Sequence, residues 1–235
     1  MIIPVQRSAL IHFAEIDSTQ SFLRRHPELG FCAVVADAQT EGRGRQGNTW
    51  ISAPGAGLWM SVAMPQPDLM PGIVLQRAMA RVAECLKGCL KDSGAELGLK
   101  WPNDLVARID GRLVKLGGII GEKAGDRLIL GLGVNLQSAP RLEGREIPAA
   151  SLAELNAMLP DSRVLARNIL DAWQDLNVEF RPAFLWPESG MPIQWERGQG
   201  VVMGWEEDGR LKVTTASGIE RLSAGEITGL NRSTS

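Results

Sequence analysis

Between residues 96 and 134 three apolar, β-rich runs follow one another, at 96–101, 116–121 and 127–134. Only short turns carrying glycine and charge separate them, so they read as neighbours in one sheet. A helical repeat stands on either side. Residues 73–91 set Val74, Leu75, Ala78, Met79, Val82, Leu86 and Leu90 at three- and four-residue intervals, and residues 164–180 do the same with Leu165, Ile169, Trp173, Leu176 and Phe180. Earlier, Asp17-Ser18-Thr19 can cap a helix running through Leu23, ended by Pro27 and Gly30. Residues 31–36 and 57–64 read as strands. A chain so ordered is confined to a sheet with helices packed against it.

Beyond Pro182, Pro187 and Gly190 the pattern changes, which places a domain boundary near residue 188. Short β-like runs at 192–196, 199–205, 211–216, 220–222 and 226–230 follow, with hairpin signals at Asp208-Gly209 and Ser217-Gly218. They predict a small five-stranded barrel. So short a segment buries little core by itself and must lean on the first part.

Composition narrows the chemistry. There is no tyrosine, there are two histidines, His12 and His26, and there is no GxSxG serine elbow. A serine–histidine–aspartate centre therefore lacks its parts. The absence of CxxC and HExxH spacing argues against a transition-metal site. Lysine, arginine, asparagine, aspartate and backbone amides remain, a set suited to electrostatic catalysis on charged substrates. A net charge of −2 gives no overall field for nucleic acid or an anionic membrane. No run approaches the ~18 apolar residues of a membrane span, and the N-terminal residues carry no signal-peptide core. Cys32, Cys85 and Cys89, odd in number and without framework spacing, suit a reducing cytoplasm.

Four segments carry candidate chemistry. Residues 39–50, with Gly42, Gly44 and Gly47, fit GxGxxG, but Thr49-Trp50-Ile51-Ser52-Ala53-Pro54-Gly55 cannot continue as the helix that a dinucleotide fingerprint requires. What is left is a glycine loop bearing Arg43 and Arg45. It can turn its amides inward as an anion-binding nest, or it can be a solvated turn with Trp50 in the core. Lys100-Trp101-Pro102-Asn103-Asp104 points a cation from the end of an apolar strand; a lysine snorkelling past a tryptophan has the same pattern. Gly117 and Gly118 within 115–122 suggest close backbone approach or plain sheet packing. Asn135 follows the apolar strand 131–134, as a turn residue or as a polar amide set on a ligand.

Taken in order, these segments resemble the biotin–protein ligase family. The KWPND motif is present letter for letter at 100–104, residues 115–122 are similar to KLxGI–E, residues 131–135 to GxGxN, and Asp17-Ser18-Thr19-Gln20 to DSTN. Residues 222–227, Leu222 to Ile227, resemble the end of the family's small barrel, so the likeness spans about residues 13–230. It implies an α+β fold: a catalytic domain, 1–187, related to class II aminoacyl-tRNA synthetases, with a mixed sheet and flanking helices, then an SH3-like barrel, 188–235. It implies ATP, Mg²⁺ carried on ATP, and biotin as substrate, with a biotin carboxyl carrier protein domain as acceptor. By the same resemblance Ser18, Thr19, Gln20 and Gln39 line the biotin ureido pocket. Arg43, Gly44 and Arg45 close over biotin and the adenylate phosphate, and Lys100 holds the carboxylate and α-phosphate. Trp50 stacks on adenine and Asn135 bonds its edge. Arg45 and Lys100 are the expected catalytic residues. The base for the acceptor lysine stays open, with Asp104 as one candidate.

Three departures stand out. Gln46 and Asn48 replace further basic residues, Gln20 replaces asparagine, and the chain starts too close to Asp17 for a preceding DNA-binding helix-turn-helix. An enzyme without a repressor role, working without nucleic acid or membrane, is expected, and a homodimer through a sheet edge is compatible with the sequence. A lipoate–protein ligase and a non-catalytic biotin-sensing module are the competing readings.

Overall fold

The computed structural model describes residues 9–176, 182–223, 225 and 227–229. Strands β1 (Ala9–Ile16), β2 (Cys32–Gln39), β3 (Gly57–Pro65), β4 (Glu96–Lys100), β5 (Asp104–Ile109), β6 (Arg112–Ala124), β7 (Arg127–Asn135) and β8 (Phe184–Trp186) form one eight-stranded sheet in the order β1-β2-β3-β7-β6-β5-β4-β8. Only β1–β2 and β4–β8 pair in parallel. The rest of the sheet is antiparallel, so the large sheet is mixed. Helices α1 (Thr19–Arg25), α2 (Pro71–Leu86) and α3 (Ser162–Ala172) pack against it.

Strand β7 shows how the layers are made. All nine of its residues are buried, which needs cover on both faces. Leu128, Leu130, Leu132 and Val134 alternate into the main core with Val74, Ala78, Val82 and Leu86 of α2 and Leu165, Ile169 and Leu170 of α3. On the opposite face Ile129 packs with Leu23 of α1. Further along that face the side chains shrink to Gly131 and Gly133, and the space so opened becomes the site described below.

The second sheet comprises β9 (Pro192–Trp195), β10 (Gly198–Trp205), β11 (Leu211–Thr215), β12 (Gly218–Leu222) and β13 (Ile227–Gly229), in the order β12-β11-β10-β9-β13. It shares its core with the large sheet: Ile193, Val202, Leu211, Val213 and Ile227 pack with Trp101, Val106, Phe184 and Trp186. The turn between β10 and β11 is bonded to the large body. The Gly209 carbonyl accepts the indole N–H of Trp101 at 3.1 Å and the Gln76 amide at 2.7 Å.

Several elements differ from expectation. Strands β1, β5 and β8 were not expected, although all three are rich in apolar residues; β8 is only three residues long. The helix expected over 73–91 gives way at Leu86 to a 3-10 turn, Lys87–Leu90. The helix expected over 164–180 ends at Ala172, where Trp173 turns inward and its indole donates to the Ala78 carbonyl at 2.9 Å. Tertiary packing thus overrides a periodic pattern. Residues 177–180 of that expectation, with Ala224, Glu226 and Leu230, lie outside the described residues. Among the described residues no helix is long and apolar enough to cross a membrane.

Candidate active site

Ser18 caps α1, its hydroxyl accepting the Ser21 N–H at 3.3 Å. Asp17 accepts the Ser18 N–H at 2.7 Å and is gripped by both guanidinium nitrogens of Arg25, at 2.6 and 3.0 Å. The Arg25 guanidinium holds the Asp17 carboxyl below its usual range. The capped helix therefore starts at a fixed point and delivers Thr19 and Gln20 to the glycine face of β7. Gln39, at the end of β2, joins them. Its carbonyl oxygen accepts the Thr19 N–H at 2.9 Å and the Thr19 hydroxyl at 3.1 Å, while its amide donates to Ser52 at 2.8 Å. The Thr19 hydroxyl also shares a 2.8 Å bond with Ser61 on β3.

The glycine–arginine segment closes on itself. Arg43 bridges to Thr49, Trp50 N–H donates to the Gly42 carbonyl at 2.9 Å, and Gly44 N–H donates to the Asn48 carbonyl at 2.8 Å. At its tip Gln46 has φ 53° and Gly47 φ 77°. The left-handed conformation is free to glycine and costs glutamine about 1 kcal/mol. Arg43 pairs with Glu122 on β6 at 2.9 Å. Arg45 donates to the Asn103 side chain at 3.0 Å and to the Gly225 carbonyl at 3.4 Å.

The KWPND residues make the tight β4–β5 hairpin, with Lys100 and Asp104 opposite each other in register. Trp101, fully buried, roots the turn. Asn103 locks it to β6, exchanging bonds of 2.7 and 3.0 Å with the Ile119 backbone. The Lys100 ammonium stands 5.2 Å from the centre of the Trp186 ring. Lys115 reaches Asp104 at 2.7 Å and lies 5.6 Å from the Trp50 ring centre.

These elements enclose one cavity of about 430 Å³, within the range of small-molecule sites. Ser18, Thr19, Gln20, Gln39, Arg43, Gly44, Arg45, Trp50, Lys100 and Asn135 all line it. These are the ten residues that the family resemblance assigns to the site. Among the described residues three buried polar atoms at its wall have no hydrogen-bond partner: Gln20 Oε1, Trp50 Nε1 and Asn135 Oδ1. Asn135 uses its NH₂ on the Ala150 carbonyl at 3.1 Å, which leaves the oxygen over. Orphaned buried groups each cost about 1–3 kcal/mol, and their gathering at one cavity marks a place where a ligand completes the bonding. A second hollow of about 440 Å³ lies across the loop, against Pro71 and Leu75 of α2, and shares Gln20, Arg43 and Arg45 as wall.

Sequence reasoning had assigned no role to Lys115, Asn103, Ser61 or Glu122, although three of them sit inside the matched motifs. It also missed the segment 140–149 and residues Gly225, Ile227 and Thr228, which line the same cavity. Nothing in their composition announces chemistry.

Cations and unpartnered polar groups around one hollow on a mixed sheet mark a candidate site for a small ligand that carries both negative charge and N–H donors. Residues 13–136 match the biotin/lipoate A/B protein ligase family, and the chain belongs to that family. It is 29% identical over 211 residues to the biotin–[acetyl-CoA-carboxylase] ligase of Mycobacterium tuberculosis, covering 83% of this chain and 77% of that one. It is 27% identical over 215 residues to the bifunctional ligase/repressor BirA of Bacillus subtilis, covering 83% of this chain and 65% of that one. Among solved structures, the Aquifex aeolicus biotin protein ligase in complex with biotin and ATP superposes with a TM-score of 0.75 at 25% identity, over 94% of this chain and 98% of that one. The large mixed sheet with its helices is the biotin ligase fold.

Proposed function

We propose that the chain is a biotin–protein ligase, which joins biotin to ATP as biotinyl-5′-AMP and then passes biotin to a lysine of a carboxyl carrier domain. The observation that carries this reading is the convergence of Arg43, Arg45 and Lys100 on the cavity that also holds the three unpartnered polar atoms. In the first step the biotin carboxylate attacks the α-phosphate of ATP and pyrophosphate leaves, so two anions must be brought together. Lys100 lies between carboxylate and α-phosphate, and Arg43 and Arg45 fold over them, offsetting the charge that develops. Thr19, Gln20 and Ser18 face the ureido ring, with Gln39 fixing Thr19 in place. Its N–H groups suit the open Gln20 oxygen, which a lipoyl dithiolane could not satisfy. Trp50 takes the adenine face, and the Asn135 oxygen accepts from its amino edge.

In the second step the lysine amine of the carrier attacks the mixed anhydride and AMP departs. The closed segment 42–48 keeps water from the anhydride. Asp104, held by Lys115, is our candidate to take the proton. Mg²⁺ enters with the triphosphate; among the described residues no three potential ligands gather to cage it. In the same reading residues 1–187 form a catalytic unit related to class II aminoacyl-tRNA synthetases, residues 188–235 an SH3-like barrel, and the protein works in the cytoplasm.

The test mixes protein, ATP, Mg²⁺, biotin and a carboxyl carrier domain and weighs the carrier. One biotinyl addition that requires ATP is expected. An unmodified carrier with no pyrophosphate released would overturn the reading, and preference for lipoate in competition would replace it with the lipoyl one.

A further inference from the structure

The segment between β7 and the 3-10 turn at Ala153–Leu155 covers one flank of the cavity. Both its ends are pinned to the large sheet. At one end the N–H groups of Leu136, Gln137 and Ser138 donate to the Ala56 carbonyl at 2.8–3.3 Å. At the other, Lys115 of β6 donates to the Pro148 carbonyl at 2.8 Å and accepts from Ala150 N–H at 2.9 Å. Between these ends Leu142, Gly144, Arg145, Glu146 and Ile147 line the cavity. There the exposed Glu146 reaches across to the other sheet, and its carboxylate accepts the Gly229 N–H at 2.8 Å. Gly229 is the last residue of β13, which among the described residues is an edge strand with β9 as its one neighbour.

The same stretch of the small sheet meets the glycine–arginine segment, because Gly225 accepts from Arg45. Gly225, Ile227 and Thr228 are themselves cavity wall. The small sheet in turn is bonded to the large body through Gly209, so it offers a rigid post. A strand edge exposes unpaired N–H groups, and a carboxylate taking one of them makes a charge-assisted bond that a neutral acceptor makes less well.

We infer that Glu146 is a positioning residue: by clamping segment 139–147 to β13 it holds that flank of the cavity shut over the activated intermediate. This rests on the proposed adenylate chemistry. The clamp touches no reacting atom, so its effect is on how long the adenylate stays bound. The bond is solvent-exposed, which limits its worth; releasing it should speed adenylate escape about three- to tenfold.

The experiment compares the full-length parent with Glu146→Ala and Glu146→Gln. Escape of labelled biotinyl-adenylate without carrier is timed, alongside biotin-dependent pyrophosphate exchange and thermal midpoint. The clamp predicts faster escape in Glu146→Ala, an unchanged thermal midpoint, and recovery of most retention in Glu146→Gln, whose amide oxygen still accepts; pyrophosphate exchange reports that adenylate still forms. Amide hydrogen exchange of 139–147 in the ligand-free protein should rise in Glu146→Ala and fall back in Glu146→Gln. Equal escape and equal hydrogen exchange in all three proteins would overturn the clamp. If the parent forms no adenylate, the functional reading fails and the hydrogen-exchange comparison alone decides the clamp.

Discussion

Trp50 lies against the bare Cα of Gly133, so close that a Cβ built there would stand 2.7 Å from the ring carbon Cζ2. That contact fixes the plane of the indole at the cavity wall. Gly118, the register partner of Gly133 on β6, gives the ring its neighbouring floor, with a built Cβ 3.6 Å from Cζ3. Gly133→Ala should push the indole off the sheet at a cost of about 1–3 kcal/mol. Read in the KM for ATP, this is a rise of about fivefold to a hundredfold, with biotin affinity less affected. An unchanged KM for ATP would remove Trp50 from the nucleotide side of the site.

The two expected catalytic cations should fail at different steps. Lys100→Ala removes a donor from the first reaction and should lower pyrophosphate release about 10²–10³-fold. Arg45 instead ties the loop to Asn103 and Gly225. Arg45→Gly should slow formation less than Lys100→Ala does and should release the loop, so that the adenylate that forms escapes into solution. Chromatography of free and bound adenylate separates the two outcomes. An Arg45→Gly variant that retains adenylate as well as the parent would show that the loop is held by other means.

The residues that line the cavity were more legible than the strands around it, for physical reasons. Cations, glycines and amides at the ends of strands are local signals, and each stood in a short segment of sequence. Strand β5 was missed because Arg108 and Ile109 end it without apolar alternation, and β8 because its three residues find their partner β4 more than eighty positions away. The helix was read past its end at Ala172, since periodicity does not say where an indole leaves the helix to meet Ala78. Segment 140–149 was invisible: its role comes from where β7, Lys115 and β13 place it.

Arg127 stands at the start of β7, away from both cavities, and is only 9% exposed. Its guanidinium donates to the carbonyls of His26 at 3.3 Å, Leu29 at 2.8 Å and Leu23 at 3.1 Å. It thereby satisfies the carbonyl end of α1 and complements that end's partial negative charge. Arg127→Met keeps the bulk but orphans these acceptors. A loss of about 2–4 kcal/mol in unfolding free energy is expected, together with a higher KM for biotin, because α1 carries Thr19 and Gln20. Denaturant titration and biotin kinetics check both. A stable variant with an unaltered biotin KM would show that α1 is held by its apolar face alone.

Burial pushes the Cys85 thiol up from 9.0 to about 11, and burial raises Cys32 and Cys89 in the same direction. The folded chain therefore keeps these protons where the unfolded chain releases them. The stability this represents is whole below the unfolded value, declines as pH rises past about 9, and is gone above the folded value. The chain has no tyrosine, so phenol ionisation does not obscure this window. For Cys85, which is partly open to solvent, the loss should reach about 1–2 kcal/mol. Denaturant midpoints taken at pH 8 and pH 10.5 should fall more steeply in the parent than in Cys85→Ala, with the two referenced to their own values at pH 8. Identical slopes would mean that the Cys85 thiol ionises in the folded chain as it does in the unfolded one.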